Sequence, residues 1–386
     1  MSAAHPALRE VAILVIGGGI VGIATAGFLA QQGAEVAVID AGYVGGTTAN
    51  AGSLHVQMQS IFLERFPQFV PGLESQLPLY KSAAAYWKGF QGELGADCEV
   101  KISGGLMIAE DRRQLDFLAR KAQREKALGL DVAILDRGEL DRIAPYLGPA
   151  VIGAELCAQE GKVNPLLANA AMRRWTVRLG VAQLWQEPVL RLEREGTGFR
   201  AVTARGTIKA GKVVLAAGYG AKPLAAGVGF DLPAVGDALH VNITESTAGF
   251  IHHLVQHAER PITLKQLGSG QAVIGGGWPA EPGPPGEIPR NKLSSMIGNL
   301  SLAQHIVPRL GPLRVIRTWT GVNTLVDGCG VIGPVASIPG LFFAIPGDAG
   351  YTLGPITGRL AAECVLGRES SADIVACRPE RFAGKM

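Results

Sequence analysis

The chain has 386 residues, of which 52 are Gly, close to twice the roughly 7% share of an average chain. Hydrophobic residues make up 47% and charged residues 18%, with a net charge of +3, which excludes a disordered or fibrous chain and leaves no basic, aromatic-interleaved stretch for nucleic acid. Five cysteines, an odd number without CxxC or Cys/His spacing, point to neither a disulfide framework nor a metal or iron–sulfur site on this chain.

The apolar run from Val11 to Ala30 follows a single basic residue, Arg9, and is broken by Gly17-Gly-Gly19, so it reads neither as an export signal nor as a membrane span. No other stretch is apolar for long enough to cross a bilayer, and the expectation is a soluble, cytoplasmic protein. Val11-Ala-Ile-Leu-Val-Ile16 has the β-branched, continuously apolar character of a buried parallel strand. GGGIVG follows at residues 17–22, then helical spacing to Gln32 and a stop at Gly33. Glu35-Val-Ala-Val-Ile39 reads as a second strand ending in Asp40.

Each glycine of this βαβ unit has a task. Gly17 allows the tight turn, Gly19 lets a pyrophosphate approach the backbone, and Gly22 lets helix and strand pack closely. The helix N-terminus favours phosphate charge. Asp40, 18 residues after Gly22, is placed to accept both hydroxyls of an adenosine ribose, which suits NAD or FAD and repels the extra phosphate of NADP. The loop Gly45-Gly-Thr-Thr-Ala-Asn-Ala-Gly52 then offers backbone N–H groups and the side chains of Thr47, Thr48 and Asn50 to a pyrophosphate and a ribityl chain.

Further along, Cys98-Glu-Val-Lys-Ile-Ser103 looks strand-like and residues Arg112 to Lys126 form a charged helix. Lys212-Val-Val-Leu-Ala-Ala-Gly218 is an apolar strand ending in small residues. Pro261-Ile-Thr-Leu-Lys-Gln266 and Ala272-Val-Ile274 alternate as strands before a Pro/Gly loop at Glu281 to Arg290, a lid or a surface excursion. Pro346-Gly-Asp-Ala-Gly-Tyr-Thr-Leu-Gly-Pro355 is a Gly-rich loop feeding a helix from Ile356 to Leu366, and presents N–H groups and partial positive charge.

These segments resemble the FAD-dependent amine and D-amino-acid oxidoreductases, the family of glycine oxidase, sarcosine oxidase and D-amino-acid dehydrogenase. Glu160-Gly-Lys-Val-Asn-Pro-Leu-Leu167, Arg317-Thr-Trp-Thr-Gly321, Asp327-Gly328 and Ile332-Gly-Pro334 extend the likeness over about 340 residues. Within the family, His240-Val-Asn-Ile-Thr-Glu245, Ile251-His-His-Leu-Val-Gln-His-Ala258 and Gly270 to Trp278 are similar to the β-subunits of opine (octopine and nopaline) oxidases and of hydroxyproline dehydrogenases. The resemblance implies an α/β fold: a Rossmann-like FAD-binding domain (residues 1–80, 155–235 and 312–386) interwoven with an α+β substrate domain (81–154 and 236–311) built on an antiparallel sheet.

FAD is the implied cofactor, touched by Gly17, Gly19, Ile20, Val21, Gly22, Asp40, Ala41, Thr47, Thr48, Asn50, Ala51, Gly52, Val189, Ala217, Gly218, Gly347, Asp348, Gly350, Tyr351, Thr352 and Leu353. The implied chemistry is hydride transfer from the carbon bearing the amine to flavin N5, giving an imine, with no protein base required. Carboxylate-binding arginines of glycine oxidase align with Asn323 and Asp348, so a glycine-like substrate is not expected. The substrate residues expected instead are His55, Glu245, His252, Lys265, Gln266 and Tyr351. The partners implied are a second flavoprotein or NAD-type subunit and a small iron–sulfur subunit, with FMN at a subunit interface in some relatives and any cluster on a partner chain. Electron transfer would make such a complex peripheral to a membrane. A stand-alone, oxygen-using D-amino-acid or glycine oxidase and a non-catalytic flavin electron-transfer subunit are the alternatives.

Overall fold

The structure is a computed structural model and describes residues 9–60, 63, 67–284 and 286–382. In chain order it runs β1 (Glu10–Ile16), α1 (Ile20–Gln31), β2 (Val36–Asp40), β3 (Ser53–Leu54), α2 (Val70–Leu94), β4 (Gly105–Ala109), α3 (Arg112–Ala127), β5 (Val132–Asp136), α4 (Arg137–Ile143), β6 (Gly153–Cys157) and β7 (Gly161–Lys162). It continues with α5 (Pro165–Arg178), β8 (Ala182–Trp185), β9 (Val189–Glu195), β10 (Gly198–Thr203), β11 (Gly206–Leu215), α6 (Ala221–Ala226), β12 (Val235–Ser246), β13 (Leu254–His257), β14 (Thr263–Gln266) and β15 (Gln271–Gly275). The last elements are α7 (Leu293–Ile306), β16 (Val315–Leu325), β17 (Val331–Pro334), β18 (Leu341–Ile345) and α8 (Gly350–Val365).

Two compact units share the chain: unit 1 is Met1–Thr47, Asn169–Gly236 and Asn323–Met386, and unit 2 is Thr48–Ala168 and Asp237–Val322. The sequence reading sets its four crossings after residues 80, 154, 235 and 311, against 47, 168, 236 and 322 in the structure. The first comes earlier in the structure because β3 already pairs with β7 of unit 2, and the second falls inside α5.

Unit 1 is built on a sheet ordered β17-β18-β11-β1-β2-β8, in which β18, β11, β1, β2 and β8 run parallel. The first half of the long β11 also closes an antiparallel meander with β10 and β9. β1 and β2 are buried along nearly their whole length, as strands covered on both faces must be. α1 and α8 pack through small residues: a Cβ on Gly358 would lie 2.5 Å from the Ala24 Cβ, and one on Gly354 2.8 Å from Ile20 Cγ2. α8 starts at Gly350, so the segment expected as a loop up to Pro355 is already helical. Pro355 sits in the second turn, where it removes one hydrogen bond without ending the helix.

Unit 2 holds a sheet ordered β16-β12-β15-β14-β13-β4-β6-β5 and the short ribbon β3-β7. The expected antiparallel sheet is in fact mixed, because β13 and β4 pair in parallel while β12/β15, β15/β14, β14/β13, β4/β6 and β6/β5 are antiparallel. Leu106, Val255, Leu264 and Ile274 from the sheet pack with Leu302 and Ile306 of α7. Cys98–Ser103 is not a strand: Glu99 adopts a positive φ of 55°, and the segment makes one isolated bridge, Lys101 to Lys162, besides a backbone hydrogen bond from the Asn164 N–H to the Cys98 carbonyl (2.9 Å). Its apolar residues alternate as a strand's would, but the left-handed residue breaks the run. A bridge between Glu281 and Arg290 closes the base of the Pro/Gly loop, whose residue 285 lies outside the described residues.

Cys329 and Cys377 bring their sulfurs to 3.4 Å as free thiols, a proximity that the spacing of the five cysteines does not reveal. Among the described residues no helix is long and apolar enough to cross a membrane.

Candidate functional site

In unit 1, β1, β2, β11 and β18 end along one edge of the sheet, where open α/β sheets hold their ligands. Gly17 follows β1 with φ +112°, and a Cβ there would lie 2.5 Å from the Ala216 carbonyl oxygen. A Cβ on Gly22 would come within 1.8 Å of the Gly17 carbonyl oxygen. Backbone thus excludes a side chain at both positions. At Gly19, by contrast, a Cβ would meet among the described residues only the Thr47 side chain, its hydroxyl at 3.0 Å. Gly19 is the N-cap of α1 and provides no capping side chain. The Ile20 N–H donates to Thr47 Oγ1 (2.9 Å), and Val21 and Gly22 lie in the first turn, whose N–H groups have no intrahelical acceptor.

Asp40 closes β2. Its Oδ2 accepts the Gly18 N–H at 2.6 Å and its Oδ1 the Gly42 N–H at 2.8 Å, just beyond Ala41. Each oxygen keeps a further lone pair, enough for two ribose hydroxyls. Trp185 lies in register with Asp40 across β2 and β8, its ring 2.3 Å from where a Gly18 Cβ would stand, and the Arg173 guanidinium covers that ring at 4.2 Å. Neither residue stands out in the sequence. The available signal is an aromatic closing a strand that runs beside β2.

The other expected cofactor residues of unit 1 sit at neighbouring strand ends. Val189 opens β9, while Ala217 and Gly218 follow β11. Gly218 has φ +57° and precedes Tyr219, whose N–H donates to Thr324 Oγ1 at 3.0 Å. Gly347, at φ +80°, leads into α8, whose N-cap Ala349 again provides no capping side chain. Gly350, Tyr351, Thr352 and Leu353 form its first turn. Tyr351 is buried and its hydroxyl donates to Asn169 Oδ1 (3.1 Å), so this residue supports the fold rather than reaching a substrate. Asn323 Nδ2 donates to Asp348 Oδ1 at 2.5 Å.

In unit 2 the loop leaves Thr48 exposed, and Asn50 Oδ1 accepts the Gly52 N–H (2.7 Å) around a half-buried Ala51. Gly52 has φ +78°, and a Cβ on it would lie 2.2 Å from the Val163 carbonyl oxygen. Ser53 then pairs with Lys162 across the β3-β7 ribbon, and the ribbon is stitched to β14 twice. Lys265 Nζ donates to Ser53 Oγ at 2.7 Å, and Lys162 Nζ to the Gln266 carbonyl at 2.5 Å. Burial, with Lys162 nearby, pushes Lys265 down to about 7; burial and Lys101 push Lys162 down to about 8 against the pull of Glu99. Burial and the Lys265 charge push His55 down to about 3. Burial raises Glu160 to about 7 despite the hydrogen bonds that favour its charged form.

His55, Lys265 and Gln266 therefore come together, while Glu245 and His252 stand outside this network. Glu245 Oε1 accepts the Arg314 N–H (2.9 Å), and exposed His252 sets its ring edge-on to Tyr146. Lys265 is 0% exposed, and Gln266 spends its whole carboxamide on backbone: Oε1 accepts from Phe250 and Ile251, and Nε2 donates to Ala248 and Gly270. Both are supports and not substrate contacts. Glu160, missed in the sequence although it heads a matching motif, accepts from the Val56 and Gln57 N–H groups and from the side chains of Gln57 and Gln256. Trp319 of the RxWxG segment donates its indole N–H to the Ala49 carbonyl (2.9 Å), and Arg317 is exposed.

The uncapped α1 N-terminus, the opening above Gly19 and the Asp40 carboxylate fit the ADP portion of FAD. Consistent with this, residues 12–364 match the family described as FAD dependent oxidoreductase (DAO). The β-subunit of sarcosine oxidase of Rhizobium meliloti is 25% identical over 83% of this chain and 76% of its own length. Glycine oxidase of Bacillus licheniformis is 26% identical over 95% and 96%, and an opine oxidase subunit of Agrobacterium tumefaciens 24% identical over 97% and 98%. The crystal structure of glycine oxidase from Geobacillus kaustophilus superposes with a TM-score of 0.85 at 23% identity, covering 97% of this chain and 100% of that one.

Proposed function

The chain belongs to the DAO family of FAD-dependent oxidoreductases and acts on CH–NH donors; from that premise we propose that its substrate is a secondary or D-configured α-amino acid of the opine or hydroxyproline type. The observation that carries this reading is the Asn323–Asp348 hydrogen bond. By the resemblance these two positions stand where glycine oxidase has carboxylate-binding arginines; here they hold an amide and an acid bonded to each other, which cannot clamp the carboxylate of a glycine-sized substrate. Bound FAD supplies the acceptor for the hydride leaving the carbon next to nitrogen. The residues of this chain bind the dinucleotide, orient the amino acid and admit its unprotonated amine.

We further propose that the chain works as one subunit of a hetero-oligomer, since two of the relatives are named as subunits. Anaerobic mixing of the holoprotein with octopine, nopaline and D-hydroxyproline should bleach the visible flavin band. Failure of every secondary and D-amino acid to do so defeats the substrate reading. A stand-alone oxidase is the second reading, supported by glycine oxidases matched end to end. Untagged purification decides between them: a lone chain making peroxide rapidly favours the oxidase, and co-purifying subunits carrying iron or FMN favour the complex.

A further inference from the structure

Along Gly52–Met58, six of the seven residues are buried and His55 alone keeps some exposure, 15% of its side chain. The backbone on either side of it is fixed. Ser53 and Leu54 pair with Lys162 and Gly161, the Val56 and Gln57 N–H groups reach Glu160 Oε1 at 2.7 and 3.1 Å, and the Met58 N–H reaches Glu125 Oε1 at 2.6 Å. A segment this firmly fastened holds one imidazole at a set position, as a binding residue requires.

The charges around it are unbalanced. Lys265 from β14 and Lys162 from β7 are buried and form no ion pair among the described residues. Glu160, with its Oε1 3.9 Å from His55 Nδ1, has its charge shared among four N–H donors and opposed by Lys121. Glu99 and Lys101 act on Lys162 with opposite signs. An arriving anion thus meets positive field from two lysines and a donor at His55.

We propose that His55 receives the carboxylate of the substrate, its imidazole N–H donating to a carboxylate oxygen while Lys265, hydrogen-bonded to Ser53 two residues before it, is a positioning residue that supplies charge. The assignment rests on the amino-acid reading above and gives the carboxylate a partner in place of the absent arginines. With Lys265 and the neighbouring Glu160 both titrating at about 7, the attraction is present below that pH and fades as pH rises through it.

The probe is acetate, with acetamide as its uncharged control, titrated calorimetrically into the FAD-loaded protein. His55→Ala and His55→Phe should each weaken acetate about tenfold or more at pH 6.5, with acetamide weakened less and FAD content unchanged, and His55→Gln, which keeps an N–H donor, should recover part of the loss. Wild-type acetate affinity should fall between about pH 6 and 8, where Lys265 loses and Glu160 gains charge, and Lys265→Met should reduce that fall to the part that Glu160 contributes. Should Lys265→Met not fold, Lys265→Gln must reduce it instead. Unchanged acetate affinity in both His55→Ala and His55→Phe overturns the proposal. Amino acids that bleach the flavin with a KM indifferent to His55 overturn it alone, whereas acetate bound through His55 with no amino acid reducing the flavin overturns only the functional reading.

Discussion

Lys265 buries its ammonium against the hydroxyl of Ser53, Nζ to Oγ 2.7 Å, across 212 residues of sequence. This contact and the carboxylate of Glu160, next to the ribbon, contribute to stability with opposite pH dependence. Lys265 falls from 10.5 to about 7 on folding, so between those values the unfolded chain binds the extra proton and stability rises with pH. Glu160 rises from 4.5 to about 7, so between those values the native state holds the extra proton and stability falls with pH. The two contributions meet in a minimum near neutrality. They are on the order of 5 kcal/mol for Lys265 and 3 kcal/mol for Glu160. Urea denaturation across pH 5–10 should show Lys265→Met reducing the alkaline rise, to which Lys162 also contributes, and Glu160→Gln reducing the fall below neutrality; parallel curves for wild type and both variants would refute the assignment.

The glycines of the first turn separate folding from cofactor binding. A Cβ at Gly22 collides with the Gly17 carbonyl, so Gly22→Ala should destabilise even the apoprotein by several kcal/mol. At Gly19 the added methyl meets a movable threonine side chain. Gly19→Ala should therefore keep the apoprotein melting temperature within about 2 °C while lowering FAD affinity tenfold or more. Fluorescence titration of apoprotein with FAD, beside its melting curve, reads both. Equal loss of stability in the two variants would place the phosphates elsewhere.

Close packing of α1 on α8 is a third target. Gly358 leaves no room for a methyl between itself and Ala24, with the Thr25 nitrogen 2.7 Å from the same point. Gly358→Ala gains helix propensity but forces the two helices apart, and a net loss of about 1–3 kcal/mol is expected. Gly92, inside α2, has no atom within 4 Å of where an added methyl would stand, and Gly92→Ala should be neutral or stabilising by up to about 1 kcal/mol. Thermal denaturation of the pair of variants tests whether the contact, rather than glycine itself, matters.

The nucleotide end is legible in the sequence because its chemistry is local. Gly17, Gly19, Gly22 and Asp40 lie within one βαβ unit, and the strand, turn and helix that place them differ in periodicity. The second half of the site is less legible because it is made by contacts between distant segments. Lys265 and Gln266 look like substrate residues by their place in a matching strand, yet burial turns both inward, and a strand's alternation does not say which face is covered. Glu160 and Lys162 stand in a matching motif without an evident role, since their partners at residues 53–57 and 266 come near only through the β3-β7 ribbon. The 25 residues of α2 escape a sequence reading because Gly72 and Pro78 interrupt its apolar periodicity.

Asn323 and Asp348 supply the last prediction. Their hydrogen bond ties the end of β16 to the residue before the N-cap of α8, where a carboxylate also complements the helix dipole. Asp348→Ala removes an acceptor from a half-buried amide and a charge from the helix end, so it should cost about 1–3 kcal/mol. Asn323→Ala should cost less, because the helix keeps its acid. A double-mutant cycle on the holoprotein isolates the bond, with a coupling of about 1–2 kcal/mol expected for a charge-assisted contact. Asp348→Asn, which retains an acceptor without the charge, should fall between wild type and Asp348→Ala. A coupling near zero, or Asp348→Asn as damaging as Asp348→Ala, would show that the helix end and not the Asn323 amide is what Asp348 serves.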